Sequence, residues 1–208
     1  MTRIFTYIAA GVIVVLLGAL WLMTQVPNSD DPFQPCRTTR VAGGLDAIGG
    51  PFELVNHHGE TVTQDDVITG PTILYFGYTF CPDICPTDNV RNAMAVDLLA
   101  EMGHDVTPVF ISIDPERDTP ERMADFVFNM HEDMIGLTGT PEQVRAASLA
   151  YKTYFQREVD GDPDYYLVDH STFAYFAMPD YGTVEIFGRD TTPQQMADQL
   201  ACFIDAAE

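Results

Sequence analysis

Positive charge is what this 208-residue chain has least of: Lys and Arg number 10 against 31 Asp and Glu, a formal net charge of −21. Such a surface repels phosphate backbones and excludes nucleic-acid binding as a function class. It repels anionic lipid head groups too, so any attachment to a membrane must be hydrophobic. Cysteine is also scarce. Four Cys are too few for a disulfide scaffold, yet enough for one site of chemistry and one bridge. Internal repeats and low-complexity tracts are missing. Hydrophobic residues make up 46% and aromatics 11%, which excludes wholesale disorder. The length suits one globular domain with an appendage, large enough for a core that needs no staples.

The appendage is N-terminal. Residues 4–23 read IFTYIAAGVIVVLLGALWLM without a charge. At 1.5 Å per residue the run matches the roughly 30 Å hydrocarbon core of a bilayer. Arg3 precedes it, and Asp30 and Asp31 follow. The positive-inside rule puts the N-terminus in the cytoplasm and the rest outside. A cleaved signal peptide is the alternative reading, but the run is long for one and no Ala-x-Ala pattern follows Met23. The chain thus divides into a cytoplasmic tip and transmembrane anchor (1–24), a Pro- and Gly-rich linker (25–50) and a folded domain (51–208). On either reading the domain is exported, to a compartment that permits disulfides.

Within the domain, TILYF at 72–76 and VTPVFISI at 106–113 are continuous apolar runs, the mark of strands buried on both faces. Residues 52–62 form a short hairpin around His57 and His58. An amphipathic helix runs from about 87 to 102 and ends at Gly103. Thr-Pro pairs at 119–120, 140–141 and 192–193 open three more helices, with Thr as N-cap and Pro in the first turn. The latter two continue to Gln143 and Gln195 as capping boxes. Strands are expected at 165–169, 172–178 and 183–187, the last two joined by a Pro179–Gly182 turn. The order β-β-α-β-α-(β)-α-β-β-α implies an α/β mixed sheet with helices on both faces, of which the thioredoxin-like fold is one form.

Chemistry concentrates at Cys81-Pro82-Asp83-Ile84-Cys85-Pro86, between a buried strand and a helix. Free N–H groups and the positive dipole end of the helix favour thiolates there. Two thiolates on one short loop suit Cu(I) well and Zn(II) adequately. The bland alternative is a pair of structural thiols or a structural disulfide. Two sulfurs alone make a poor closed site, so a third ligand is sought among five His. His57 and His58 fall in a turn and read as solvated. His104 and His131 follow helix ends, where a cation is favourable. His170 lies at the edge of the expected core, and strand alternation points the neighbouring Asp169 away from it. The loop Asp114–Asp118 reads as a capped turn, with Asp118 and Thr119 satisfying helix N–H groups.

Six segments in order resemble the Sco/SenC family of membrane-anchored copper chaperones: 49–52 (GGPF), 75–79 (YFGYT), 81–86 (CPDICP), 110–119 (FISIDPERDT), 136–140 (GLTGT) and 169–171 (DHS). The resemblance runs from about Gly50 to the C-terminus. It implies a thioredoxin-like domain behind a membrane helix, and one copper held by Cys81, Cys85 and His170 as Cu(I), with Cu(II) as a second state. It also implies a role in building the dinuclear copper centre of cytochrome c oxidase subunit II. Partners would then be that subunit and an upstream copper donor or thiol reductase. The location would be the inner membrane facing the periplasm, or the mitochondrial intermembrane space in a eukaryote. Phe80 stands where relatives often carry His, which removes an auxiliary ligand.

The competing function is a thiol–disulfide oxidoreductase using Cys81 and Cys85. Against it, the spacing is Cys-x-x-x-Cys, and Val168–Ser171 stands where such enzymes place a cis-proline. Cys36 and Cys202 belong to no motif. A bridge between them would tie the linker to the domain, though sequence alone does not show their proximity.

Overall fold

Apolar residues without an internal proline give α1 (Thr2–Gln25). The computed structural model describes residues 2–25, 31–39, 44–158 and 165–207, except the side chains at 2–4, 6, 9, 22–25 and 46. The chain separates into two units, Met1–Gln34 and Pro35–Glu208. In the first, Phe5, Ile8, Val12–Leu17, Leu20 and Trp21 all expose large apolar surfaces. Among the described residues no helix is long and apolar enough to cross a membrane.

The second unit contains β1 (Glu53–Asn56), β2 (Thr61–Thr63), α2 (Gln64–Val67), β3 (Thr72–Gly77), α3 (Ile84–Met102), β4 (Thr107–Ser112) and α4 (Pro120–Phe128). It continues with β5 (Ile135–Thr138), α5 (Pro141–Ala150), β6 (Phe155–Arg157), β7 (Val168–His170), β8 (Ala174–Met178), β9 (Gly182–Phe187) and α6 (Pro193–Ala207). Seven strands form one mixed sheet in the order β2-β1-β5-β4-β3-β8-β9, and β6 and β7 form a separate two-stranded sheet. Crossover helices make β3, β4 and β5 parallel, while β1 and β8 add on antiparallel. All six residues of β3 are buried, so both faces of the sheet centre are covered.

Proline in a central strand normally removes a ladder bond. Pro108 in β4 escapes this by position. Thr107 N–H donates toward β3, to Pro71 O at 2.9 Å. Alternation turns the Pro108 nitrogen toward β5, whose pairing begins only at Val109. The expected caps are present. Thr119 Oγ1 accepts from Arg122 N–H at 3.4 Å, Thr140 and Gln143 close a capping box, and Gly103 ends α3 at φ 92°, a conformation glycine adopts without a Cβ penalty.

One expected strand shifts. The strand expected at 165–169 is Val168–His170, and it pairs with β6 outside the main sheet. Three residues are too few for a period to show in sequence. Part of the segment 25–50 is described. Residues 26–30 and 40–43 lie outside the described residues, but Cys36, Leu45 and Ile48 are buried, and the second unit begins at Pro35. Cys36 is disulfide-bonded to Cys202 in α6, with their Cα atoms 5.7 Å apart. Arg37 Nη1 donates to Val184 O at 3.0 Å and Thr38 N–H to Glu185 Oε2 at 3.2 Å. These bonds strap the segment along β9.

Candidate metal centre

β3 delivers the chain to the turn that bears Cys81, and α3 carries it away. The helix starts at Ile84 rather than at the expected Thr87. Pro86 is no obstacle, because N–H groups in a first helical turn have no intrahelical partner to lose. Cys85 therefore lies inside the first turn, and its N–H donates to Cys81 Sγ at 3.3 Å. One sulfur thus caps the helix that carries the other.

His170 arrives from β7. Its Nε2 is 3.3 Å from Cys85 Sγ. Its Nδ1 donates to Ser171 O at 2.7 Å, leaving Nε2 as the ring atom that faces the sulfurs. The Sγ atoms of Cys81 and Cys85 and a His170 nitrogen all lie within 4.8 Å of one another. Strand alternation places Asp169 outward and exposed. Two rings hold the imidazole edgewise: Tyr75, with centroids 6.3 Å apart, and Tyr78, at 5.9 Å. The Tyr78 hydroxyl also accepts the Val168 N–H at 3.3 Å.

The two sulfurs differ. Cys85 is 0% exposed while Cys81 is partly open. The Cys85 S–H, His170 and the backbone N–H groups of Cys85 and Asp83 hold the Cys81 thiol down at about 3, against the opposing effect of burial. The Cys85 thiol is pushed up, by its bond to Cys81 and by burial. The pair therefore carries one thiolate readily, on the accessible sulfur. A soft cation would stabilise the second.

Behind the site the packing is close. A Cβ on Gly77 would stand 2.8 Å from Phe110 Cε2 and 3.0 Å from both Cys85 Sγ and Tyr75 Cε1. Only glycine lets Cys85 approach β3 so nearly. Tyr75 donates to Asp88 Oδ2 at 2.9 Å, and Arg189 Nε donates to Asp88 Oδ1 at 3.3 Å. Burial, then the charges of Cys85 and Asp88, push the Tyr75 hydroxyl well above its ordinary range. Sequence reasoning missed Gly77, Tyr75 and Tyr78. Their signal was present in the resemblance segment 75–79: Tyr75 and Gly77 lie in β3 and Tyr78 follows it directly on the way to Cys81.

The loop after β4 does more than cap a helix. Thr119 caps α4 as expected, but the carboxylate of Asp118 reaches back to the cysteine turn. It accepts Thr79 N–H at 3.1 Å, the Thr79 hydroxyl at 2.6 Å and the Ser112 hydroxyl at 2.7 Å. The remaining histidines stay apart from the site. His57 is not simply solvated, for its Nδ1 accepts Gly136 N–H at 3.1 Å. His104 lies 3.6 Å from Asp205, and His131 lies 3.3 Å from Asp97.

Known proteins resemble this chain closely. A family model described as SCO1/SenC matches residues 41–205. Protein SenC of Rhodobacter capsulatus is 51% identical over 201 residues, covering 96% of this chain and 90% of that protein. The crystal structure of Arabidopsis thaliana ScoI with copper bound is 40% identical, with a TM-score of 0.72, and covers 76% of this chain and 99% of that one. The structure of Bradyrhizobium japonicum ScoI with copper bound is 34% identical, with a TM-score of 0.68, and covers 74% and 98%. The mixed sheet described above is therefore the thioredoxin-like arrangement of those structures.

Proposed function

The chain belongs to the SCO1/SenC family, and from that premise we propose that it is a membrane-anchored copper chaperone. It carries one copper on Cys81, Cys85 and His170 and assists assembly of the copper centre in subunit II of cytochrome c oxidase. The convergence of two sulfurs and one imidazole nitrogen within 4.8 Å carries this reading. Two structurally similar relatives hold copper. The exposed apolar side chains of α1 support an anchor, with the N-terminus in the cytoplasm and the Cys36–Cys202 bond matching an oxidising compartment.

Copper is the cargo. Two thiolates and one imidazole suit trigonal Cu(I), and a site with more nitrogen character suits Cu(II). Cys85 is buried and stays with the metal, whereas Cys81 offers an open side. His170 is a neutral ligand on a separate strand and leaves first. A thiolate from the acceptor then takes its place, and copper passes by ligand exchange without release into solution. An upstream donor reloads the site in the same way. Oxidation of Cys81 and Cys85 to a disulfide abolishes binding, so a thiol reductase must keep them reduced.

The low thiol of Cys81 also supports a second reading, reduction of the target's cysteines. Its thiolate attacks the target disulfide, and Cys85 then displaces the mixed disulfide. Two electrons and two protons pass to the target as Cys81 and Cys85 become a disulfide. One experiment separates the readings. The reduced, copper-loaded chain is mixed with apo subunit II whose cysteines are already reduced. Copper transfer supports the chaperone. Absence of transfer, together with rapid reduction of the oxidised subunit by the copper-free chain, leaves the reductase.

A further inference from the structure

In a chain so poor in cations, two of them sandwich a single ring. The guanidinium carbons of Arg117 and Arg157 each lie 3.6 Å from the centre of Tyr166. Arg157 approaches from β6, and its Nη1 bonds Glu116 at 3.1 Å. Arg117 comes from the loop after β4 and has more contacts. Its guanidinium carbon lies 4.7 Å from the ring centre of Phe80, the residue before Cys81. Its Nη1 donates to Tyr166 O at 3.0 Å. Its Nε pairs with Asp114, whose Oδ1 accepts the Tyr166 hydroxyl at 2.6 Å. The side chain is only 16% exposed, so these contacts are largely shielded from water and correspondingly strong.

This matters because β7 has no place in the main sheet. Among the described residues it pairs only with β6, and its three residues end at His170. Beyond that pairing, β7 is tied to the cysteine side by the Val168 N–H on the Tyr78 hydroxyl at 3.3 Å, and the Arg117 guanidinium carbon lies 5.7 Å from the centre of that same Tyr78 ring. We propose that Arg117 is a positioning residue for His170. Stacked between Phe80 on the cysteine side and Tyr166 on the histidine side, it sets the gap between the sulfurs and the imidazole. It thereby governs how readily His170 leaves copper during transfer. Phe80, the departure noted in the sequence, becomes the flat surface that this guanidinium grips. The inference rests on the copper reading above. Lys is a poor substitute, since an ammonium keeps the charge but lacks the planar fork that stacks and bonds at once.

The test uses the full chain, reduced and loaded with Cu(I), as wild type, Arg117→Met, Arg117→Lys and Tyr166→Phe. All four bind one copper. Arg117→Met surrenders it to the chelator bicinchoninate about 10-fold faster or more, the usual scale for loss of an outer-sphere partner. Its X-ray absorption shows a weaker nitrogen contribution. Arg117→Lys follows Arg117→Met, and Tyr166→Phe falls between them and wild type. A second readout needs no metal: nuclear Overhauser cross-peaks between the His170 ring and those of Tyr75 and Tyr78 are present in the copper-free wild type and lost in Arg117→Met. Unchanged release and unchanged cross-peaks in a folded Arg117→Met overturn the proposal, as does an Arg117→Lys indistinguishable from wild type. Should Arg117→Met fail to fold, Arg117→Lys and Tyr166→Phe decide. A wild type with the cross-peaks but no copper binding defeats the chaperone reading and leaves the positioning role standing.

Discussion

Gly77→Ala adds one methyl group at the tightest point behind the metal centre. The new carbon would stand 2.8 Å from Phe110 Cε2, 3.0 Å from Tyr75 Cε1 and 3.0 Å from Cys85 Sγ. Carbon atoms in contact prefer about 3.5–4.0 Å, so at least half an ångström must be found in three directions. None of the three neighbours is a loose end. Phe110 and Tyr75 are fully buried, Tyr75 is bonded to Asp88, and Cys85 is fixed in the first turn of α3. Overpacking of this kind costs about 1–3 kcal/mol. At about 2–4 °C per kcal/mol for a domain of this size, the melting temperature falls by about 2–12 °C. The Cys85 sulfur is one of the three atoms that must shift, so the variant also binds Cu(I) more weakly. Thermal unfolding of the copper-free chain and a chelator competition measure the two effects. An unchanged melting temperature with unchanged affinity would refute the argument that Gly77 exists to admit Cys85.

Asp118→Asn replaces one acceptor oxygen with a donor amide opposite three donors. It is expected to cost about 1–3 kcal/mol by denaturant unfolding, and equal stability would contradict the bonding described. Cys36→Ser opens the bridge to Cys202 and lowers stability by about 2–5 kcal/mol. Copper stoichiometry stays at one, and loss of the metal would show that the bridge belongs to the site. The Cys81 thiol ordinarily titrates at 9.0 and is held at about 3. A lowered acid group stabilises the fold in full above its unfolded value and loses that stabilisation as pH falls toward the folded one. Denaturation of the reduced, copper-free chain at pH 9, 8, 7 and 6 should therefore show stability declining with pH relative to Cys81→Ser. Parallel curves would exclude the depressed thiol.

Much of this molecule was legible before its structure. The buried strands at β3 and β4 announce themselves as unbroken apolar runs, and the Thr-Pro starts of α4, α5 and α6 stand where capping chemistry puts them. Cys81 and Cys85 were legible because paired thiols at a strand-to-helix turn have few other uses. His170 stood apart from the other four His by its place at the edge of the expected core, the resemblance then implied it as a ligand, and the fold brought its Nε2 to 3.3 Å from Cys85 Sγ. The less legible features depend on contacts between distant segments. The start of α3 at Ile84 depends on a sulfur serving as cap. The role of Asp118 depends on Thr79, 39 positions away, and that of Arg117 on Tyr166, 49 positions away. No local period encodes such pairs. The bond between Cys36 and Cys202 spans 166 positions, which is why composition raised it and only the fold decided it.

The central claim is that Cys81, Cys85 and His170 together hold one copper. X-ray absorption of the reduced full chain reconstituted with Cu(I) tests it most directly, beside Cys81→Ala, Cys85→Ala and His170→Ala. The account predicts one copper bound by two sulfurs and one nitrogen in the wild type. One sulfur should disappear in each cysteine variant and the nitrogen in the histidine variant. A wild type without a tight copper site, or a spectrum unchanged by His170→Ala, would contradict it.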